Sequence, residues 1–418
     1  MARKKRERKP EKKRVDKPPL SKPKRVLFTA IYALLLVICS ALLLLILEFA
    51  ATPFVRLPSV LYTGSARLNH VWPPNRGQIH EEWITGNPEF NEPYTHYYNV
   101  QGWLENYDVI KRKPANTYRI FYLGDSFTEG CVPMSESIPS RVEQYLHHQY
   151  GNSGTHYEVI NTGTSSYSPL IYYVLARYYL LDYSPDVLVV NVDMSDCFDD
   201  WKYRELLIVD DDGNPYAVPH RNIYNSEYVD TLKGAMKANI VSRTRVFLFK
   251  NSSLYNLISK WWNGGNEAAK LFDMTSVDPE TTKDRWAWCR HDWDTETEAD
   301  VAFTLDVLSR LAKLCDEKGV KLMITGVPHY QQFIPQDESK SPWSQRPHEA
   351  LKRFAAEHSV AYLDSHAALA LSINGTEQPR YYYRGNMHFN PRGFALWAQA
   401  HIDAFATPEL ELLPPDAK

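Results

Sequence analysis

Cysteine is scarce in this chain. The five, at 39, 131, 197, 289 and 315, show none of the paired spacings that hold a structural metal. No glycine-rich phosphate loop and no cluster of metal-ligating residues appears, so neither a cofactor nor a metal is expected. No internal repeat is visible, which excludes a solenoid built from short units. Charge is missing altogether from Val26 to Leu47, 22 residues dominated by Leu, Ile, Ala and Val. At about 1.5 Å per residue, such a helix spans a hydrocarbon layer roughly 30 Å thick.

Charge is abundant just before that run. Residues 1–25 hold 13 basic residues against Glu7, Glu11 and Asp16, which leaves 34 basic and 47 acidic residues, a net of −13, for the rest. A basic arm alone would suit nucleic acid. Next to a charge-free span it reads instead as a cytoplasmic tail, with the span uncleaved in the membrane and the acidic remainder exported. A cleaved signal peptide is the rival reading, but its apolar stretch is usually only about 7–15 residues long. The expected partners are therefore a membrane and a substrate of the exported part, and no nucleic acid. In an oxidising compartment the four cysteines beyond the span are free to form disulfides. Cys131 and Cys197 both follow predicted strands, so they either pair with each other or remain two small unpaired residues.

The expected division is a basic tail over 1–25, a transmembrane helix over 26–50, a juxtamembrane β-rich segment over 51–117 and a main domain over 118–407. Within the main domain, "YRIFYLG", "YEVINTG", "DVLVVNV", "VKLMITGVP" and "VAYLD" read as strands. Helical patterns near 138–150, 169–183, 296–318 and 347–358 separate them, and a last helix starts at Pro391 behind Asn390 as cap. Such alternation indicates an α/β fold with a parallel sheet covered on both faces. It breaks over about 200–294, which reads as an insertion with an Asp-Gly hairpin and Trp261, Trp262, Trp286, Trp288 and Trp293. Those tryptophans either form a sugar-stacking platform or pack the insertion.

Ligands of an open parallel sheet bind at the carboxyl ends of its strands. Four segments converge there: "GDSFTEG", "NTGTSSYSP", "VDMSDCFDD" and "RGNMHFNPRG". A serine nucleophile needs an adjacent base, and its oxyanion needs fixed donors. These segments offer Ser126 and His388, with the backbone N–H groups of Ser126 and Gly163 as donors. The plain alternatives are a helix-capping serine and a packing histidine. His329 and Tyr330 lie on the same edge, but nothing in the pattern gives them a role.

Gly124-Asp125-Ser126, then Gly163, then His388 with Asn390-Pro391-Arg392-Gly393, in this order and at strand ends, resembles the SGNH (GDSL) hydrolase superfamily, and the lead-in "YNVQGW…YRIFYLGDSFTEG" resembles its membrane-anchored bacterial members. The resemblance covers roughly 118–405. It implies a three-layer, flavodoxin-like parallel sheet and a Ser-His mechanism on acyl esters. Two positions depart from the pattern. The oxyanion asparagine of the third block is replaced by Ser195 in Asp193-Met194-Ser195-Asp196. The triad aspartate is replaced by Asn386, which can accept from the histidine but brings no charge. Asp364, at the end of "VAYLD", is a candidate substitute.

The expected function is a membrane-anchored, exported ester hydrolase or acyltransferase, acting on an acylated small molecule or carbohydrate, or on envelope polysaccharide or lipid. The expected site is Ser126, His388 and Asn386, with Gly163 and Ser195 at the oxyanion. The competing reading is a catalytically silent glycan-binding or scaffold module of the same fold.

Overall fold

The computed structural model describes residues 22–52, 62–80, 90, 93–220, 252–262, 283–334 and 343–414. The chain divides into two units, residues 1–57 with 240–262, and residues 58–239 with 263–418.

In the first unit, helix α1 (Lys22–Ala51) contains the apolar run. Over Val26–Ala51 its mean hydropathy is 3.0, long and apolar enough to cross a membrane. Near its end, Glu48 accepts from the Ser252 hydroxyl at 2.7 Å and from the Ser253 N–H. This places a carboxylate at the start of the short helix Ser253–Trp262, where the helix dipole favours negative charge.

The second unit begins with two small antiparallel pairs. Strand β1 (Thr63–Gly64) pairs with β2 (His70–Val71), and β3 (Arg76–His80) with β4 (Tyr94–Tyr98). The main sheet follows: β5 (Thr117–Leu123), β6 (His156–Asn161), β7 (Val187–Val192), then, after the hairpin of β8 (Ile208–Val209) and β9 (Pro215–Ala217), β10 (Lys321–Gly326) and β11 (Ala361–Leu363). Its order is β11-β10-β7-β5-β6, with every pairing parallel. Counting only these five strands along the chain, the order is 2-1-3-4-5, the flavodoxin-like arrangement. Its direction of winding reverses between β5 and β7, and the ends of those two strands bracket the site.

Alternation along β5 shows why two helical layers are needed. Phe121 and Leu123 face one core with Leu188, Val190 and Ile324, under the helices Pro169–Tyr178, Thr295–Lys318 and Arg346–His358. Ile120 and Tyr122 face the other core with Val189 and Met323, under the helices Ile138–Tyr150, Ser365–Ile373 and Pro391–Ala406. Each fully buried large side chain contributes about 1.5–3 kcal/mol, so both faces stabilise the sheet. Helix ends follow the sequence signals. Asp294 accepts from Thr297 N at 2.8 Å to start one helix, and Asn390 accepts from Arg392 N and Gly393 N to start another. Arg119, an odd residue in a buried strand, is paired with Glu158 at 2.5 Å and donates to the Tyr183 carbonyl at 2.6 Å.

Three points left open by the sequence are decided here. No disulfide joins Cys131 to Cys197; both side chains are buried. Trp286 and Trp288 are no sugar platform: they are 2% and 1% exposed, and Trp286 packs against His329 and Trp343. Trp293 lies under the Arg346 guanidinium, 3.8 Å from its ring centre. The side chains of Trp261 and Trp262 lie outside the described residues. Asp364 caps the helix Ser365–Ile373 by accepting from Ala367 N at 3.0 Å, and is not the partner of His388.

Candidate active site

Ser126 is not the helix cap. The cap is Asp125, whose carboxylate accepts from Phe127 N at 2.9 Å, and Ser126 is the first residue of the four-residue helix Ser126–Glu129. Its N–H donates to no described residue, as expected in a first helical turn. Its hydroxyl lies 2.7 Å from His388 Nε2 and 3.4 Å from the Asp125 carboxylate.

His388 is fully buried. Its Nδ1 lies 2.7 Å from Asn386 Oδ1, which also accepts from His388 N at 3.0 Å. An amide oxygen can only accept, so Nδ1 carries the proton and Nε2 is left to accept from Ser126. Burial holds the imidazole down to about 3, against an upward pull from Asp193 and a downward one from His329 and Arg285. Phe127 stacks on its ring at 4.5 Å between centroids. The histidine and its partner are held in place by the chain around them. Tyr383 N donates to His388 O at 3.0 Å, and Gln378 Nε2 donates to Asn386 O at 2.9 Å.

The two remaining expected residues are oriented elsewhere. Gly163 donates its N–H to Asn161 Oδ1 at 2.9 Å. Its lack of a side chain serves packing instead: a Cβ there would lie 2.3 Å from Glu129 N and 2.7 Å from Thr128 C. Asn161 ties the same loop to the Ser126 helix by donating to the carbonyls of Thr128 and Glu129 at 3.0 and 3.2 Å. Ser195 turns inward, donating its hydroxyl and its N–H to Asp193 at 2.7 and 2.8 Å. A hydroxyl engaged with a buried carboxylate is not aimed at a reacting carbonyl.

Behind Ser126 the chain places acids that the sequence reading missed. Asp125, Asp193 and Asp196 are buried, with one carboxylate oxygen of each within 4.8 Å of the others. Burial and mutual repulsion push Asp125 and Asp196 well above the usual carboxylate range. Asp193 goes the other way. Burial pushes it up, but His329 and the two Ser195 donors outweigh that and hold it below the usual range. His329 Nε2 lies 2.6 Å from Asp193 Oδ1. His329 packs against Trp286, Trp343 and the far side of the Phe127 neighbourhood, at 5.2 Å from the Phe127 ring. The trio is the one group with metal-ligand spacing among the described residues. Asp125 accepts from Phe127 N, Asp193 from Ser195 with His329 beside it, and Asp196 Oδ2 from Tyr172 and Asp193 N, while Asp196 Oδ1 is buried without a hydrogen-bond partner.

A further buried acid, Glu129, joins the site to β4 and to the loop after β6. It accepts from Tyr98 OH at 2.7 Å and from Ser165 N at 3.1 Å, while His70 Nε2 lies 2.8 Å from Ser165 O. The loop after β6 is thus fixed from both sides.

No protein-family model and no curated protein matches the chain. Solved structures do. A GDSL-like lipase from Parabacteroides merdae matches over 71% of this chain and 96% of its own, at 12% identity and a TM-score of 0.37. Axe2, an acetylxylan esterase from Geobacillus stearothermophilus, matches over 69% and 94%, at 10% identity and 0.39. A GDSL-like lipase from Bacteroides thetaiotaomicron matches over 69% and 87%, at 11% identity and 0.31. Likeness at this level says nothing about the reaction, and the strand order and the seating of the motif residues are the firmer ground. With a 2-1-3-4-5 parallel sheet, Ser126 at the end of its first strand and His388 brought to it ahead of the last helix, the chain has the SGNH-hydrolase fold.

Proposed function

We propose that this protein is a membrane-anchored, exported serine ester hydrolase or acyltransferase. The observation that carries the reading is the run Ser126 Oγ, His388 and Asn386, with 2.7 Å at each step. Ser126 Oγ bonds to the ester carbonyl carbon as its proton passes to His388 Nε2. The tetrahedral oxyanion receives the free Ser126 N–H. Collapse breaks the bond to the leaving alkoxide, which takes the proton from His388. Water or a sugar hydroxyl then attacks the acyl-enzyme by the same steps in reverse. An acylated carbohydrate or lipid of the cell envelope is the substrate class that suits an exported catalytic domain held at the membrane.

The silent-module reading draws on the engagement of Gly163 and Ser195 in internal hydrogen bonds. A fluorophosphonate probe separates the two readings without a known substrate. The purified chain should label at a single serine, and Ser126→Ala should abolish the signal. Labelling that survives in Ser126→Ala, or none in the wild type, leaves the silent module.

Topology follows from the basic tail and the uncharged span. Alkaline phosphatase joined after residue 110 should be active in cells. A stably expressed but inactive fusion would place this segment in the cytoplasm and refute export.

A further inference from the structure

The two departures from the family pattern, Asn386 for the triad acid and Ser195 for the oxyanion asparagine, come together at one place in the fold. Asn386 gives His388 a hydrogen bond and no charge. Ser195 aims both its donors at Asp193, which is fully buried. His329, from the loop after β10, adds a third donor to the same carboxylate at 2.6 Å. Three donors on a buried carboxylate favour its ionised form.

We propose that Asp193, held ionised by Ser195 and His329, is a positioning residue that supplies His388 with the negative charge Asn386 lacks, from the β7 side of the site instead of from the Nδ1 side.

The arrangement has a direction. An Asp193 oxygen lies within 4.8 Å of the Asp125 carboxylate, and Asp125 reaches 3.4 Å from Ser126 Oγ. His329 lies beyond Phe127, whose ring is 4.5 Å from His388 and 5.2 Å from His329 between centroids. The carboxylate of the pair is thus linked to the nucleophile through Asp125, and its imidazole to His388 across the Phe127 ring. Asp193, His388, Phe127, Met194 and Trp286 are all buried, so the charge acts in a poorly polarisable medium. The titratable groups around His388 are Asp193 at the end of β7, His329 after β10 and Arg285 from the segment before Trp286, with Asp125 behind Ser126. Arg285 opposes Asp193, and its own nearest acid is Asp199 at 3.9 Å. Asp193 is the one of these groups that pulls His388 toward its charged form.

The inference rests on the Ser126–His388 reading, and the experiment separates the two. Fluorophosphonate labelling rates of the purified full chain in detergent are measured from about pH 2 to 8, bracketing the acid limb of His388. Wild type and Ser126→Ala establish the nucleophile first. Asp193→Asn should then slow labelling about 10–100-fold and move its acid limb to lower pH, since the stabilised imidazolium is lost. Ser195→Ala, which keeps the charge but removes one donor, should slow it by about two- to fivefold with a limb shift in the same direction. The decisive comparison is Asn386→Asp, which should raise the rate about tenfold in the wild type and at least about tenfold more than that in Asp193→Asn. A purely structural role for Asp193 predicts equal gains in both backgrounds and an unmoved acid limb, and that result would overturn the proposal. Should Asp193→Asn fail to fold, Ser195→Ala decides the case: an unchanged limb in that folded variant overturns it equally. Loss of labelling in the wild type itself would instead remove the nucleophile reading.

Discussion

His388→Ala should slow Ser126-dependent labelling or ester turnover by about 10³–10⁴-fold, because it removes the acceptor of the serine proton and the donor to the leaving group together. His388 Nε2 is the only base within hydrogen-bond distance of Ser126 Oγ among the described residues; the other neighbour, Asp125, favours its protonated form. His388 is fully buried against Phe127, so a variant that leaves a cavity invites a confounding loss of fold. His388→Gln, closer in volume, should show the same loss with a smaller change in thermal midpoint. A His388→Gln protein that turns over p-nitrophenyl acetate within about threefold of the wild-type rate would remove the histidine from the mechanism.

The same residue sets the pH dependence, and the sign is fixed by its environment. The protonated imidazole cannot accept the serine proton, so activity is lost where His388 becomes charged. Burial holds that transition down to about 3 in place of 6.5. The rate should therefore stay level from pH 8 to about 5 and fall only below about pH 4. An acid limb near 6.5 would show an imidazole in contact with water and contradict the buried placement. A base of such low affinity for protons is a weak one, and for that reason the charge supplied by Asp193 matters to the rate.

Much of this site was legible from local pattern. A strand that ends in Gly-Asp-Ser, a histidine ahead of Asn-Pro-x-Gly and the alternation of apolar runs each depend on neighbours in sequence, and each is seated as expected. The short helix after Ser195, Asp196–Arg204, was not anticipated, because its acidic, aromatic composition lacks a helical stripe. The Asp193–His329 pair was missed for a different reason. Its members stand 136 residues apart and meet only because β7 and β10 are sheet neighbours, a long-range fact with no local signature. Read alone, Ser195 in place of asparagine, two residues after Asp193, looks like decay. Together with His329 they form one hydrogen-bonded unit. Gly163 is a different case: its position at a strand end suggests a donor, and the structure adds that a Cβ there would meet backbone atoms of the Ser126 helix.

That distinction yields the second large effect. Gly163→Ala keeps the backbone N–H, so a glycine needed only as a hydrogen-bond donor would tolerate the change. A glycine needed for close approach would not. The added Cβ would sit 2.3 Å from Glu129 N, 2.7 Å from Thr128 C and 2.9 Å from Glu129 Cα, and backbone atoms cannot rotate away as a side chain could. Either the Asn161–Tyr167 loop or the Ser126 helix must shift. The first breaks the Asn161 bonds to Thr128 and Glu129, and the second moves Ser126 relative to His388. The cost should be about 2–4 kcal/mol of stability, typical of an overpacked core position, together with at least about tenfold slower labelling. Gly151→Ala is the control, since a Cβ there meets nothing within 4 Å and its backbone is already right-handed helical. It should change stability by no more than about 0.5 kcal/mol. Denaturant midpoints for the two variants, measured beside their labelling rates, decide the matter. A Gly163→Ala protein as stable and as reactive as Gly151→Ala would mean that the loop does not press on the Ser126 helix as placed, and the donor role of Gly163 would return.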